Sequence, residues 1–135
     1  MSSDARPADA APCPCGLGSP YGECCGPIHL GAPAPTAAQL MRSRYSAFAL
    51  GEADYLLRSW HESTRPAELE LDAATRWLRL IIESAEHGGP FDTEGHVTFT
   101  AIGRTPEGRF EQRERSRFVR EAGNWLYVDG TEISG

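Results

Sequence analysis

At 135 residues, with 40% hydrophobic and 24% charged residues, the chain is long enough for one globular domain, and a domain of this size buries roughly two-thirds of its unfolded surface. All thirteen basic residues are arginine, and nineteen acids leave a net charge of -6. That balance is repelled by phosphate backbones and anionic lipid, which disfavours nucleic acid as a partner.

No apolar run approaches the roughly 20 residues that span a bilayer. The longest cluster, Leu78 to Ile82, is strand-sized and interrupted by Arg79. The N-terminus has no apolar signal region, and the expectation is a soluble cytoplasmic protein. Residues 1–12 are rich in Ala, Pro, Ser and Asp without periodicity and are expected to form a disordered tail.

All four cysteines follow within thirteen residues, as Cys13-Pro-Cys-Gly-Leu-Gly-Ser-Pro-Tyr-Gly-Glu-Cys-Cys25. Two thiols one residue apart, a Gly/Pro-rich connection and two adjacent thiols place four soft ligands on two short arms. Tetrahedral zinc is the expected occupant, and iron also accepts four thiolates. A disulfide framework would need a secreted chain; vicinal Cys24 and Cys25 cannot easily bridge each other, and a Cys13–Cys15 ring would be strained. The pattern Cys-Pro-Cys-Gly-x-Gly-x-x-Tyr-x-x-Cys-Cys resembles the SEC-C motif, the small zinc-binding tail first known from the SecA translocation ATPase. The resemblance implies Cys13, Cys15, Cys24 and Cys25 as ligands of a structural metal, Gly16, Gly18 and Tyr21 as shapers of a knuckle over residues 13–28, and a protein partner for it. Many SEC-C tails carry lysines before the second ligand pair. Here Ser19, Pro20, Gly22 and Glu23 stand instead, which counts against an anionic partner.

Three prolines between Gly26 and Pro35 argue for a linker over residues 29–35, with neither helix nor strand. His29 is either a substitute metal ligand or a linker side chain. Thr36-Ala-Ala-Gln39 is a capping box. Met41, Tyr45 and Phe48 continue at helical spacing, and Gly51 supplies the stop. Asp54 to His61 extends the helical period, and a short third helix over residues 66–71 is weaker. From Arg76 the period changes to two, with Leu78, Leu80 and Ile82 on one side and Trp77 and Ile81 on the other. Turns at 87–90, 106–108 and 121–124 then separate strands over residues 96–102, 110–120 and 125–128.

Helices followed by an antiparallel meander predict an α+β fold, with the helices on one face of a curved sheet. Two stretches, Leu40-Met-Arg-Ser-Arg-Tyr-Ser-Ala-Phe48 running on to Trp60-His61, and Glu114-Arg-Ser-Arg-Phe118 running on to Trp125-Leu-Tyr-Val-Asp-Gly-Thr131, are similar to the YchJ family. Those bacterial proteins carry an N-terminal SEC-C knuckle and a nuclear transport factor 2-like cone, which the resemblance places here over residues 36–133. Longer members end in a second SEC-C motif, which this sequence does not show.

On the longest strand one face reads Phe110, Gln112, Glu114, Ser116 and Phe118, and the other reads Glu111, Arg113, Arg115, Arg117 and Val119, expected to face solvent. Polar groups among aromatics suit a small wet cavity in the cone. The expected pocket residues are Arg42, Tyr45, Trp60, His61, Phe99, Glu114, Phe118 and Trp125. Glu114 either serves as a general acid or base with a raised pKa, or pairs with Arg42 or Arg44 and ties helix to sheet. His61 is a candidate base or a charge favoured at a helix end. No Ser-His-Asp order, phosphate-cradling loop or HExxH helix appears, so a small-ligand or partner-binding cone is the expected role, with an enzyme using Glu114 as the alternative.

Overall fold

The computed structural model describes residues 8–133. A short 3-10 turn over Tyr21–Glu23 leads into α1 (Cys25–His29), followed by α2 (Ala37–Leu50) and α3 (Ala53–Arg58). Four strands complete the chain: β1 (Arg76–His87), β2 (Glu94–Thr105), β3 (Gly108–Glu121) and β4 (Asn124–Glu132). They form one antiparallel sheet in the order β1-β2-β3-β4. This is the α+β architecture that the change of period implies, with a cysteine cluster at its N-terminal end.

The Thr36 side chain caps α2 by accepting from the Gln39 amide at 3.1 Å. Gly51 ends the helix in the left-handed region at φ 76°, where a Cβ would be strained. The face of α2 bearing Leu40, Met41, Tyr45 and Ala47 is buried and contacts β1, β2 and β4. Beyond α3, residues 59–61 run beside β4. The Tyr127 amide donates to the Ser59 carbonyl at 2.9 Å, and the His61 amide donates to the Tyr127 carbonyl at 2.7 Å. That pairing lays Trp60 edge-on against the Tyr127 ring, with centroids 5.2 Å apart.

Four expectations need correction. Helix α1 covers residues 25–29 and so takes in residue 29, where a linker without helix was expected to begin; Pro27 fits because first-turn amides lack intrahelical partners in any case. Residues 8–12 are held to the knuckle: the amides of Tyr21 and Gly22 donate to the carbonyls of Ala11 and Asp9 at 2.8 and 2.9 Å, and Pro12 bridges Pro20. Residues 1–7 lie outside the described chain. Residues 66–71 are irregular, with Leu69 and Leu71 partly buried against the core. In β1 the register shifts between Trp77 and Arg79 and again between Ile82 and Ser84. Those bulges turn Trp77, Leu80 and Ile82 toward the core and leave Leu78 46% exposed, so simple alternation fails there.

One buried cluster joins the four cysteines, Tyr21, Ile28, α2, α3 and the inner sheet face. The opposite sheet face carries cross-strand ion pairs. Arg113 pairs with Glu83 at 2.8 Å, Arg115 with Glu86 at 2.5 Å, and Arg117 with Glu94 and Asp129 at 3.4 and 3.6 Å.

Candidate functional site

Two places in the fold gather chemically capable side chains, the cysteine cluster and a cavity beneath α2. The first arm of the cluster is a tight turn, closed by the Gly16 amide donating to the Cys13 carbonyl and the Cys13 amide to the Ser19 carbonyl, both at 3.1 Å. The second arm is helical: Cys24 ends the 3-10 turn and Cys25 opens α1. Gly26 permits this approach, since a Cβ there would lie 2.7 Å from the Tyr21 carbonyl oxygen.

The four buried cysteines form no disulfide, and their sulfurs all lie within 4.8 Å of one another. Sulfurs bound tetrahedrally at about 2.3 Å from an ion stand about 3.8 Å apart; Cys15 and Cys24 are separated by 3.6 Å. The set is therefore shaped to hold a metal ion.

Its electrostatics point the same way. Hydrogen bonds from Cys15 and Cys25 lower the pKa of Cys13. The same hydrogen bonding to Cys13 and Cys15, with burial, pushes the Cys25 thiol up; burial, then Cys15, pushes Cys24 up to about 12. Crowding and burial thus oppose joint ionisation of these thiols, which a bound divalent ion would favour.

A shell around the cluster comes from elsewhere in the chain. Ser46 of α2 donates from Oγ to Cys25 Sγ at 3.3 Å and lies 3.7 Å from Cys13 Sγ. His29 is not a ligand. It is buried at the end of α1, with Nδ1 2.6 Å from the Tyr21 hydroxyl and Nε2 2.8 Å from the Ser43 carbonyl oxygen. A carbonyl only accepts, so Nε2 carries the hydrogen. Glu52 approaches Nδ1 at 3.5 Å. His29 thus ties the cysteine knuckle to α2.

The cavity encloses about 320 Å³. Met41, Arg44, Tyr45 and Phe48 of α2 form its roof; Phe99, Ala101, Gln112, Glu114, Ser116 and Tyr127 form its floor; Trp60 and Trp77 close its sides. Arg44 is only 3% exposed. Its NH1 donates to the Leu56 carbonyl at 2.8 Å and to Ser59 Oγ at 2.7 Å, and its guanidinium lies over the rings of Tyr127 and Trp60, 4.5 and 5.0 Å from their centroids. Burial lowers its pKa to about 10.

Among the described residues, Arg44 has no carboxylate within ion-pairing distance, so it does not form the tie to Glu114 that a buried charge invites. The half-buried Glu114 has its pKa raised, first by burial and then by Glu132 opposite it, against a smaller lowering by Arg44. Gln112 Nε2 donates to Glu114 Oε1 at 3.4 Å. Gly130 leaves room for this carboxylate: a Cβ there would stand 1.7 Å from Glu114 Oε2.

The other pocket candidates are dispersed. Phe118 is fully buried behind the floor, its ring 5.8 Å from that of Tyr127. Trp125 lines a separate cavity of about 320 Å³ with Ile28, Leu40, Tyr55 and Arg58. His61 lies past the end of α3, not within a helix, and pairs through Nε2 with Glu121 at 2.7 Å. Arg42 is half-buried and lines neither cavity. Sequence reasoning did not place Ser46, Trp77, Tyr127 or Gly130 at a site. Ser43, Arg44 and Ser46, three polar residues within four positions of a helix that buries them all, carried a readable signal for Ser46. Gly130 follows Asp129 and resembles an ordinary turn pair.

Comparison with known proteins places these features in a family. The family described as YchJ, middle NTF2-like domain, matches residues 36–130. A UPF0225 protein of Streptomyces coelicolor is 52% identical over 120 residues, covering 88% of this chain and 94% of the relative. One from Deinococcus radiodurans is 47% identical over 123 residues, covering 90% and 89%. Among solved structures, a SEC-C motif containing protein of Rhodopseudomonas palustris superposes with a TM-score of 0.78 at 29% identity, covering 91% of this chain and 99% of that one. Another from Psychrobacter arcticus gives 0.73 at 27%, covering 94% and 85%. With its cysteine knuckle, its helices on one face of a four-stranded sheet and a match that spans most of its length, the chain belongs to the YchJ-like family of UPF0225 proteins.

Proposed function

We propose that the protein is a small-ligand binding module stabilised by a structural zinc ion. Four protein thiolates would fill a tetrahedral shell, leaving no position for substrate, so the metal serves the fold and not a reaction. The likeness to proteins described as SEC-C motif containing supports this assignment, and a reducing cytoplasm suits four unlinked thiols. The observation that carries the ligand reading is the cavity beneath α2, where the buried cation Arg44 and the half-buried acid Glu114 share aromatic walls without pairing. Opposite charges held apart in a concave aromatic pocket are a recognised mark of a ligand site. A protein partner for the knuckle would find an exposed apolar side chain in Leu17, with Leu30 exposed just beyond the end of α1.

A second reading, an enzyme with Glu114 as general acid or base, is favoured by the raised pKa of that carboxyl. Two measurements test the main reading. Elemental analysis of protein purified without added metal should find one zinc per chain, lost on Cys24→Ser. A fragment screen by nuclear magnetic resonance should give hits at the cavity that Ala101→Leu, which fills its floor, abolishes. An equal response from the filled variant would refute the cavity as the site.

A further inference from the structure

We propose that this cavity selects a net-neutral, flat ring system bearing a hydrogen-bond acceptor beside a donor, the pattern of a lactam or cyclic ureide. The inference rests on the ligand-binding reading above and names the class of ligand. Among the described residues, Arg44 and Glu114 are the only charged ones lining the cavity, and they have opposite signs. An anion would gain Arg44 and meet Glu114; a cation would gain Glu114 and meet Arg44. A neutral dipole, its carbonyl toward the guanidinium and its N–H toward the carboxyl, satisfies both.

The arrangement leaves donors for such a carbonyl. NH1 is committed to Leu56 and Ser59, whereas the rest of the Arg44 fork makes no hydrogen bond among the described residues. Gln112, already beside Glu114, offers a second amide edge. A lactam also matches Glu114 in either protonation state, since a carboxylic acid and a cyclic amide are complementary. Flatness follows from the walls: Tyr45, Trp60, Trp77 and Phe99 offer ring faces and edges, which pack best against another ring. The volume of about 320 Å³ suits one or two fused rings.

The test uses the full, metal-loaded, isotope-labelled chain and follows the indole N–H signals of Trp60 and Trp77. Four probes of one size are titrated: isoquinolone (a neutral lactam), naphthoate, methylquinolinium and naphthalene. Isoquinolone should bind about tenfold more tightly than the other three, because a site with buried polar groups rejects ligands that leave them unmatched. Glu114→Leu should abolish that preference while naphthalene still binds, which also shows that the variant is folded. Tightest binding by naphthoate or methylquinolinium would overturn the ligand class and leave the cavity as a site. No response to any probe would overturn both, and a preference for isoquinolone that survives Glu114→Leu would overturn the placing of the donor and with it the proposal.

Discussion

Removing the metal should unfold the sheet along with the knuckle, although the sequence alone suggests a knuckle separable from the domain. The structure supplies the magnitude. Tyr21 and Ile28, at 1% and 8% exposure, belong to the same buried cluster as α2 and the sheet. Fully burying a side chain of that size contributes about 1.5–3 kcal/mol, so loosening the knuckle forfeits about 3–6 kcal/mol from these two. The two hydrogen bonds of His29 add about 2 kcal/mol. The sum of about 5–8 kcal/mol is comparable to the whole stability of a typical domain, about 5–15 kcal/mol. The assay is urea unfolding with and without chelator in reducing buffer, followed by far-ultraviolet circular dichroism for the strands and by fluorescence of Trp60, Trp77 and Trp125. The midpoint should fall steeply or vanish, with both probes moving together. A metal-free sample, verified by elemental analysis, that keeps its midpoint and slope would refute the reasoning.

Ser46→Ala removes the hydroxyl that donates to Cys25 and should weaken metal affinity by roughly 10–100-fold, measured by competition with a chromophoric chelator; unchanged affinity would remove Ser46 from the site. Glu114→Gln should change stability by only about 1 kcal/mol near neutral pH, since no ion pair is lost. Because folding raises the pKa of Glu114 above its ordinary 4.5, the folded state holds the proton longer, and wild-type stability declines as pH rises from that value through the folded one. Gln cannot ionise, so the variant should gain on wild type across that window and converge with it in more acid solution. Denaturant melts at several pH values check this, and a variant that loses ground as pH rises would show Glu114 to be stabilised as an anion. Gly130→Ala should displace the Glu114 carboxylate and weaken ligand binding, and pairing it with Glu114→Ala should recover part of any stability lost, as a double-mutant cycle would show.

The cysteine spacing and the period-two strands were legible because both are local: turn chemistry fixes the thiol arms, and alternation fixes which face of β3 Gln112, Glu114 and Ser116 share. α1 was hidden because Pro27 signals a break only to a reader who does not know that it falls in a first turn. His29 was illegible because its partners, Tyr21 and Ser43, come together only when the knuckle docks. Alternation likewise placed Trp125 among the pocket residues, whereas residues 59–61 pair with Tyr127 and put Trp60 and Trp125 in different cavities. Glu114 was read either as a general acid or base or as pairing with Arg42 or Arg44 in a salt bridge. Two ring faces, the Leu56 carbonyl and Ser59 position Arg44 without help from the acid, and among the described residues the rest of its fork makes no hydrogen bond.

All four thiols and Ser46 lie within residues 13–46, so among the described residues the side chains that could hold a metal, and the hydroxyl that supports them, precede the first strand. The sheet follows in order, each strand pairing with the one before it. Chains fold from the N-terminal side as they are synthesised. The ion can therefore be captured while the strands are still being made, and α2 then offers a finished surface on which each hairpin settles as it emerges. Where metal is scarce during growth, the nascent chain would instead present four open thiols to oxidants for as long as the sheet takes to complete.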